Sequence, residues 1–276
     1  VKNKSDKELA FLQDLFVASD WGERFAELID LRVKLPEEGR ALYLAAGTGG
    51  HAIALQERAG AELRFLCVDE NEGCLELARA KAALTKDTAE FRRDKLDALQ
   101  LADDQFDLVL GDGSLIAPER VPAMLSEMVR VARPGAMVAL SLPTCSSFGE
   151  FFSIYWEALQ KAGFANHLSA VESLITKLPA IAAVEEIATN EGLENVTSFS
   201  QIEEFDYESG AAFLKSPLIS DFLMKGWLQS LPRQAQQRVA REIVRLINEE
   251  RHEAEFSLTV HATLVTGRKT KIPLVG

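Results

Sequence analysis

The feature that most constrains this chain is a strand, a glycine turn and a helix written in nineteen consecutive residues. Ala41-Leu-Tyr-Leu-Ala-Ala46 is an apolar run too short for a helix, Gly47-Thr-Gly-Gly50 interrupts it, and His51 to Ala59 carries helical spacing. Parallel strands need a long crossover between them, usually a helix, so repetition of this unit is the sign of a parallel sheet.

The plan is repeated from Leu63 to Leu142. Leu63 to Val68 reads as a strand ending in Asp69-Glu70-Asn71, and Cys74 to Leu84 as a helix. Ala89 to Arg93 is a weaker strand ending at Asp94, and Phe106 to Leu110 a strong one ending in Gly111-Asp112-Gly113. Val121 to Val131 is a helix closed by Arg133-Pro134-Gly135, and Ala136 to Leu142 is a fifth strand. Alternation at this spacing indicates a parallel α/β sheet.

Different patterns flank that core. Leu9, Leu12 and Phe16, then Trp21, Phe25, Leu28 and Ile29, recur at helical spacing, with Ser19-Asp20 placed to cap a second helix. Beyond the fifth strand come an aromatic-rich helix (Phe148 to Ala162) and a helix from Pro179 to Glu191 ended by Gly192. A loosely alternating strand (Val196 to Tyr207), a helical stretch over 209–252 and a period-2 strand from Phe256 to Val265 follow. The expected organisation is an N-terminal helical cap over 1–37, a core over 38–145 and a helical lid insertion over 146–178. Residues 179–276 would complete the sheet around a second insertion at about 208–252.

Charge and composition narrow the partners. A net charge of -12 leaves no basic stripe to neutralise phosphates; Arg268-Lys269-Thr-Lys271 is too short to act as one. Nucleic acid and anionic membranes are therefore not expected as partners. No apolar run approaches the roughly 20 residues of a membrane helix, and the first residues carry charge without the apolar stretch of a signal peptide. Cys67, Cys74 and Cys145 are odd in number and form no CxxC pair, which fits a reducing cytoplasm better than a disulfide framework. His51, His167, His252 and His261 have no metal-ligand spacing, so no metal is expected. His51, in the first turn after the glycines, is expected to face solvent, as are Asp103 and Asp104 in their turn.

Ligands of a doubly wound sheet sit outside the carboxyl ends of its strands, where the winding direction reverses. An adenosine-containing cofactor would need small residues at the first strand end, and Ala45-Ala46-Gly47-Thr48-Gly49 supplies them. It would need a carboxylate for the ribose hydroxyls at the second; Asp69 stands there, with Glu70 beside it. Asp94 offers a polar group at the third end, and Gly111-Asp112 borders the reacting group at the fourth.

These residues resemble a known family. Leu42-Tyr-Leu-Ala-Ala-Gly-Thr-Gly49, Val68-Asp69, Arg93-Asp94, Phe106-Asp-Leu-Val109 and Arg130-Val-Ala-Arg-Pro-Gly135 look like the successive motifs of class I S-adenosylmethionine-dependent methyltransferases. The resemblance is close over 38–145 and loose over 179–207 and 256–267. It implies a Rossmann-like, seven-stranded sheet with helices on both faces, S-adenosyl-L-methionine as cofactor and a small-molecule acceptor. It also implies that Ala45 and Gly47 lie against the methionine part and that Asp69 holds the ribose. Asp94 would meet the adenine amino group, the amide of Lys95 the ring edge, and Gly111-Asp112 the methyl-bearing end.

Two positions depart from the family. Tyr43 stands where an acidic residue usually precedes the first motif glycine, and Ala45 replaces that glycine. A methyl at Ala45 is compatible with a backbone that keeps φ negative. A methyltransferase-like binding protein without turnover is the alternative these departures admit. Gly47-Thr-Gly49-Gly-His-Ala52 also matches the dinucleotide fingerprint; the C-terminal strand pair and the Arg-Pro-Gly turn favour the methyltransferase. No nucleophile–base pair stands out, so no catalytic residue is assigned. Of the aromatic residues Trp21, Phe25, Phe148, Phe151, Phe152, Tyr155, Trp156, Phe222 and Trp227, two to four are expected to line an acceptor pocket suited to an apolar or aromatic molecule.

Overall fold

A computed structural model describes residues 4–59, 61–85, 88–250 and 255–271; of the residues discussed above, His252 falls outside that range. The chain opens with helix α1 (Asp6–Leu12), started by a capping box in which Ser5 and Glu8 exchange hydrogen bonds. The backbone then stays helical through a wider π-helical stretch, Gln13–Gly22, and into α2 (Glu23–Arg32). Ser19-Asp20 therefore caps nothing. The Ser19 hydroxyl bonds back to the Leu15 carbonyl, Asp20 pairs with Arg24, and Gly22 keeps φ at -62°. The spacing of the second helix holds, since Trp21, Phe25, Leu28 and Ile29 are all buried, whereas Phe16 of the first set is exposed.

Seven strands form one sheet. They are β1 (Gly39–Leu44), β2 (Leu63–Asp69), β3 (Glu90–Arg93), β4 (Phe106–Asp112), β5 (Ala132–Pro143), β6 (Leu193–Tyr207) and β7 (Phe256–Lys269), in the order β3-β2-β1-β4-β5-β7-β6. The first five pair in parallel. Helices α3 (Gly50–Ala59), α4 (Glu72–Thr85) and α5 (Val121–Val131) connect them. The last two strands are antiparallel: Thr197 meets Thr266, Ser200 meets Thr263 and Asp206 meets Ser257, so one index falls as the other rises. Winding reverses between β1 and β4, which places the crevice at their carboxyl ends.

Arg133-Pro134-Gly135 does not precede β5 but lies within it. Phe106 pairs with Ala132 and Leu108 with Met137, so β5 bulges between these pairs, with Gly135 at φ +86°. Arg133 then reaches back to Asp107 in two contacts of 2.6 and 2.7 Å. Nor is the Asp103-Asp104 turn simply solvated, since Asp103 pairs with Arg130 at 2.6 Å and Asp104 with Lys269 at 2.7 Å.

The chain divides into two compact units. The first runs to Leu142 and adds Ile181–Ser200 and the segment from Thr263 onward. It is centred on Leu42, Leu44, Val68, Val109 and Leu140, all at or below 1% exposure, with helix α8 (Ile181–Asn190) adding Val184 and Ala188. The second comprises Pro143–Ala180 and Gln201–Ala262. Its helices α6 (Gly149–Lys161), α7 (Leu168–Lys177), α9 (Gly210–Lys215), α10 (Met224–Leu228) and α11 (Arg233–Glu250) surround an aromatic core. There Phe151 stacks on Trp227 at 4.2 Å and on Tyr155 at 5.7 Å, while Phe213 meets Tyr207 and Phe256 edge-on.

Candidate active site

The turn after β1 is built by residues that tolerate left-handed backbone. Gly47 has φ +55° and Gly49 φ +79°; a Cβ on Gly49 would lie 2.7 Å from that of Ala78 and 2.9 Å from the Phe91 ring. Only glycine fits there. Ala45 also adopts a left-handed conformation, at φ +55°, contrary to the negative value its side chain favours. The turn thus keeps the conformation glycine would have taken and accepts the strain of a methyl.

Asp69, the last residue of β2, accepts hydrogen bonds from the backbone amides of Gly47 at 2.9 Å and Asn71 at 2.8 Å. Burial pushes its carboxyl above the usual carboxylate range, and the amide donors pull the other way. Glu70 turns aside. Arg120 grips both its oxygens, at 2.6 and 2.9 Å, and also holds Asp97 at 2.8 Å. The hydrogen bond from Arg120 is the main reason the Glu70 carboxyl sits below its ordinary range. Asp94 accepts from the amides of Lys95 and Gln100, both at 2.9 Å, and from Arg92 at 3.2 Å.

A cavity of about 650 Å³ opens at the ends of β1 and β4 within the first unit. Of the expected residues, Ala45, Ala46, Gly47, Gly49 and Asp112 line it. Asp69, Glu70, Asp94 and Lys95 stand farther along the same edge, at the ends of β2 and β3. A Cβ on Gly111 would lie 2.9 Å from Met128 and 3.0 Å from Met124 of α5. The Asp112 carboxyl accepts from the Ser114 amide at 2.9 Å and is raised by burial.

The cavity's other wall comes from the N-terminal helices. Asp14 in the π-helical stretch accepts from the Thr48 hydroxyl at 2.5 Å and from Lys81 of α4, and Lys81 also donates to the Thr48 carbonyl at 3.1 Å. This cluster pins the helices over the glycine turn. His51 does not face solvent freely: it bonds Tyr43 at 2.9 Å and Asp30 at 3.0 Å. Asp14, Lys81 and Asp30 carry no periodic signal, and the 33 to 67 residues between partners in the Asp14 cluster hid it from the sequence. Among the nine aromatic residues considered above, Trp21 lines this cavity; Phe152 and Trp156 line a smaller one, of about 350 Å³, inside the second unit.

Residues 41–135 match the methyltransferase domain family. Over that segment the chain is similar to methyltransferase domains, in line with the resemblance of its strand-end motifs. A demethylmenaquinone methyltransferase of Staphylococcus aureus is 32% identical over 122 residues, 43% of this chain and 50% of that protein. The chain thus spans about half the length of the curated relatives it matches. The solved YcgJ protein from Bacillus subtilis superposes with a TM-score of 0.59 at 14% identity, covering 90% of this chain and 99% of that one. Phosphoethanolamine N-methyltransferase 2 of Haemonchus contortus, solved with S-adenosyl-L-methionine, gives 0.51 at 16% identity, covering 91% and 53%. At these identities the structural likeness is one of fold. The matched residues run from β1 into β5 and include the glycine turn that borders the cavity and the Asp69 tie. Among the described residues, no helix is long and apolar enough to cross a membrane.

Proposed function

We propose that this chain transfers the methyl group of S-adenosyl-L-methionine to a small or medium-sized acceptor. The observation that carries the reading is the charge of the cavity beside the glycine turn. Asp14, Glu23, Glu27, Asp30 and Asp112 contribute to its lining against a single lysine, Lys81. An acidic wall in a partly enclosed space favours a cationic sulfonium and ammonium over a phosphate-bearing cofactor. Asp69 would accept from the ribose hydroxyls, Asp94 and the Lys95 amide would meet the adenine, and Ala45 and Gly47 would border the methionine part. Gly111 and Asp112, at the end of β4, would border the methyl-bearing end. Glu70, held by Arg120, would shape the ribose site from behind rather than touch the ligand.

Methyl transfer from a sulfonium is an in-line displacement, so the protein gains most by orienting the acceptor and excluding water. Val17, Trp21 and Leu115 give the cavity apolar surface for an apolar or aromatic acceptor. The name of the demethylmenaquinone methyltransferase relative points to the same class of molecule. Calorimetry with S-adenosylmethionine and its demethylated product tests the reading; failure of both to bind at millimolar concentration would sink it.

A second reading, a binding protein that holds the cofactor without turnover, is favoured by the strained Ala45. Transfer of labelled methyl groups to a panel of small apolar phenols, amines and thiols separates the two.

A further inference from the structure

Along one wall of the cavity runs a hydrogen-bonded row that orientation of a sulfonium does not call for. The Tyr43 hydroxyl meets His51 Nδ1 at 2.9 Å, His51 Nε2 meets Asp30 Oδ1 at 3.0 Å, and Arg58 donates to that same Asp30 oxygen at 2.7 Å. The three side chains come from β1, α3 and α2, and all three line the cavity.

Protonation states follow from these partners. The hydrogen bond from His51, with Arg58 adding to it, holds the Asp30 carboxyl below its usual range, so Asp30 is a carboxylate. A carboxylate can only accept, which puts a proton on Nε2 and leaves Nδ1 bare in the neutral ring. In that tautomer Tyr43 donates to Nδ1. Burial, with the Asp112 carboxylate adding to it, raises its phenol well above the ordinary range, so the resting group is a neutral hydroxyl. Both ring nitrogens of His51 are engaged, and the Tyr43 oxygen still has lone pairs to offer a ligand.

We propose that Tyr43, His51 and Asp30 are a proton relay that ionises a hydroxyl-bearing acceptor, a phenol or enol, as it is methylated. The inference rests on the methyltransferase reading. In the step, the acceptor O–H gives its proton to the Tyr43 oxygen while the Tyr43 proton passes to His51 Nδ1. The freed oxygen pair forms the new C–O bond, and the C–S bond breaks with its electrons going to sulfur, which neutralises the sulfonium. Asp30 balances the imidazolium until its proton leaves to solvent. Tyr43 is the residue that would touch the acceptor; His51 and Asp30 position it and take its charge.

The probe is 4-nitrophenol, whose phenolate absorbs visible light, titrated into protein saturated with S-adenosylhomocysteine at a pH below the probe's own ionisation range. The phenolate band should grow saturably with the wild type. Tyr43→Phe and His51→Gln should each lower the bound phenolate fraction by about tenfold, one unit's worth of proton affinity. Their affinity for S-adenosylhomocysteine, read by calorimetry, should stay within about twofold of the wild type, which also shows that they fold. A bound but un-ionised probe, no saturable binding, or variants that keep the band would each overturn the relay. A wild type that fails to bind S-adenosylhomocysteine overturns the cofactor reading, and the relay with it.

Discussion

The carboxylate of Asp69 accepts a hydrogen bond from the backbone amide of Gly47 at 2.9 Å, tying the end of β2 to the glycine turn after β1. Its other oxygen accepts from the Asn71 amide at 2.8 Å. The group proposed to hold the ribose therefore also shapes the turn that would hold the methionine part. Asp69→Ala should weaken S-adenosylmethionine binding by at least about 100-fold, the scale of two charge-assisted hydrogen bonds. Calorimetry reads this directly, and an unchanged affinity would remove the ribose assignment. Asp69→Asn, which can still accept from Gly47, should keep the turn and lose less.

Ala45 gives the second test. At φ +55° its methyl crowds the following carbonyl, a cost of about 1 kcal/mol that glycine does not incur. Ala45→Gly should stabilise the chain by about 1 kcal/mol in urea unfolding. A loss of stability would show that the Ala45 side chain packs more favourably than its backbone is strained.

Asp112 links pH to stability. Burial raises its carboxyl, so the folded state holds this proton more tightly than the unfolded chain does. The group's contribution is fully present below the unfolded carboxylate range and is lost as pH rises through the folded value. Asp112→Asn should therefore raise the melting temperature near neutrality, with the gain shrinking as the pH is lowered below that range. The same change should weaken S-adenosylmethionine binding if Asp112 faces the sulfonium. A neutral-pH melting temperature that falls would count against the cost of burying this charge.

The strand ends were legible in the sequence because a parallel strand and its turn are local: Ala41 to Gly50 spells both within ten residues. The same holds for β7, whose alternation from Phe256 marks its buried face. Illegible features depend on partners that folding alone brings together. The pairing of Glu70 with Arg120, 50 residues on, has no local sign in the sequence. His51 reads as solvated until α2 delivers Asp30. Ser19-Asp20 reads as a cap, since nothing in residue type announces that the backbone stays helical through a π-helical turn in which a serine bonds back to its i-4 carbonyl.

Arg130 shows the same long-range dependence and gives the last prediction. From the final turn of α5 it donates to both oxygens of Glu127, at 2.7 and 2.8 Å, and to the carbonyls of Leu101 at 2.8 Å and Leu99 at 3.2 Å. Glu127 in turn accepts from the Leu99 amide at 2.6 Å. One planar guanidinium thus fixes the connection between β3 and β4, and a lysine has too few donors in the wrong geometry to replace it. Arg130→Ala should cost about 2 kcal/mol, because it strands partly buried carbonyls and the Glu127 carboxylate. Arg130→Lys should recover less than half of that. The hydrogen bond from Arg130 is also the chief cause that holds the Glu127 carboxyl below its usual range. Its contribution is present above the unfolded glutamate range and is lost as pH falls through the folded value. Urea unfolding repeated across that acidic window should therefore show the wild type and Arg130→Ala converging as pH falls. Curves that stay parallel would mean that Arg130 stabilises the connection through the carbonyls of Leu99 and Leu101 rather than through its pairs with Glu127 and Asp103.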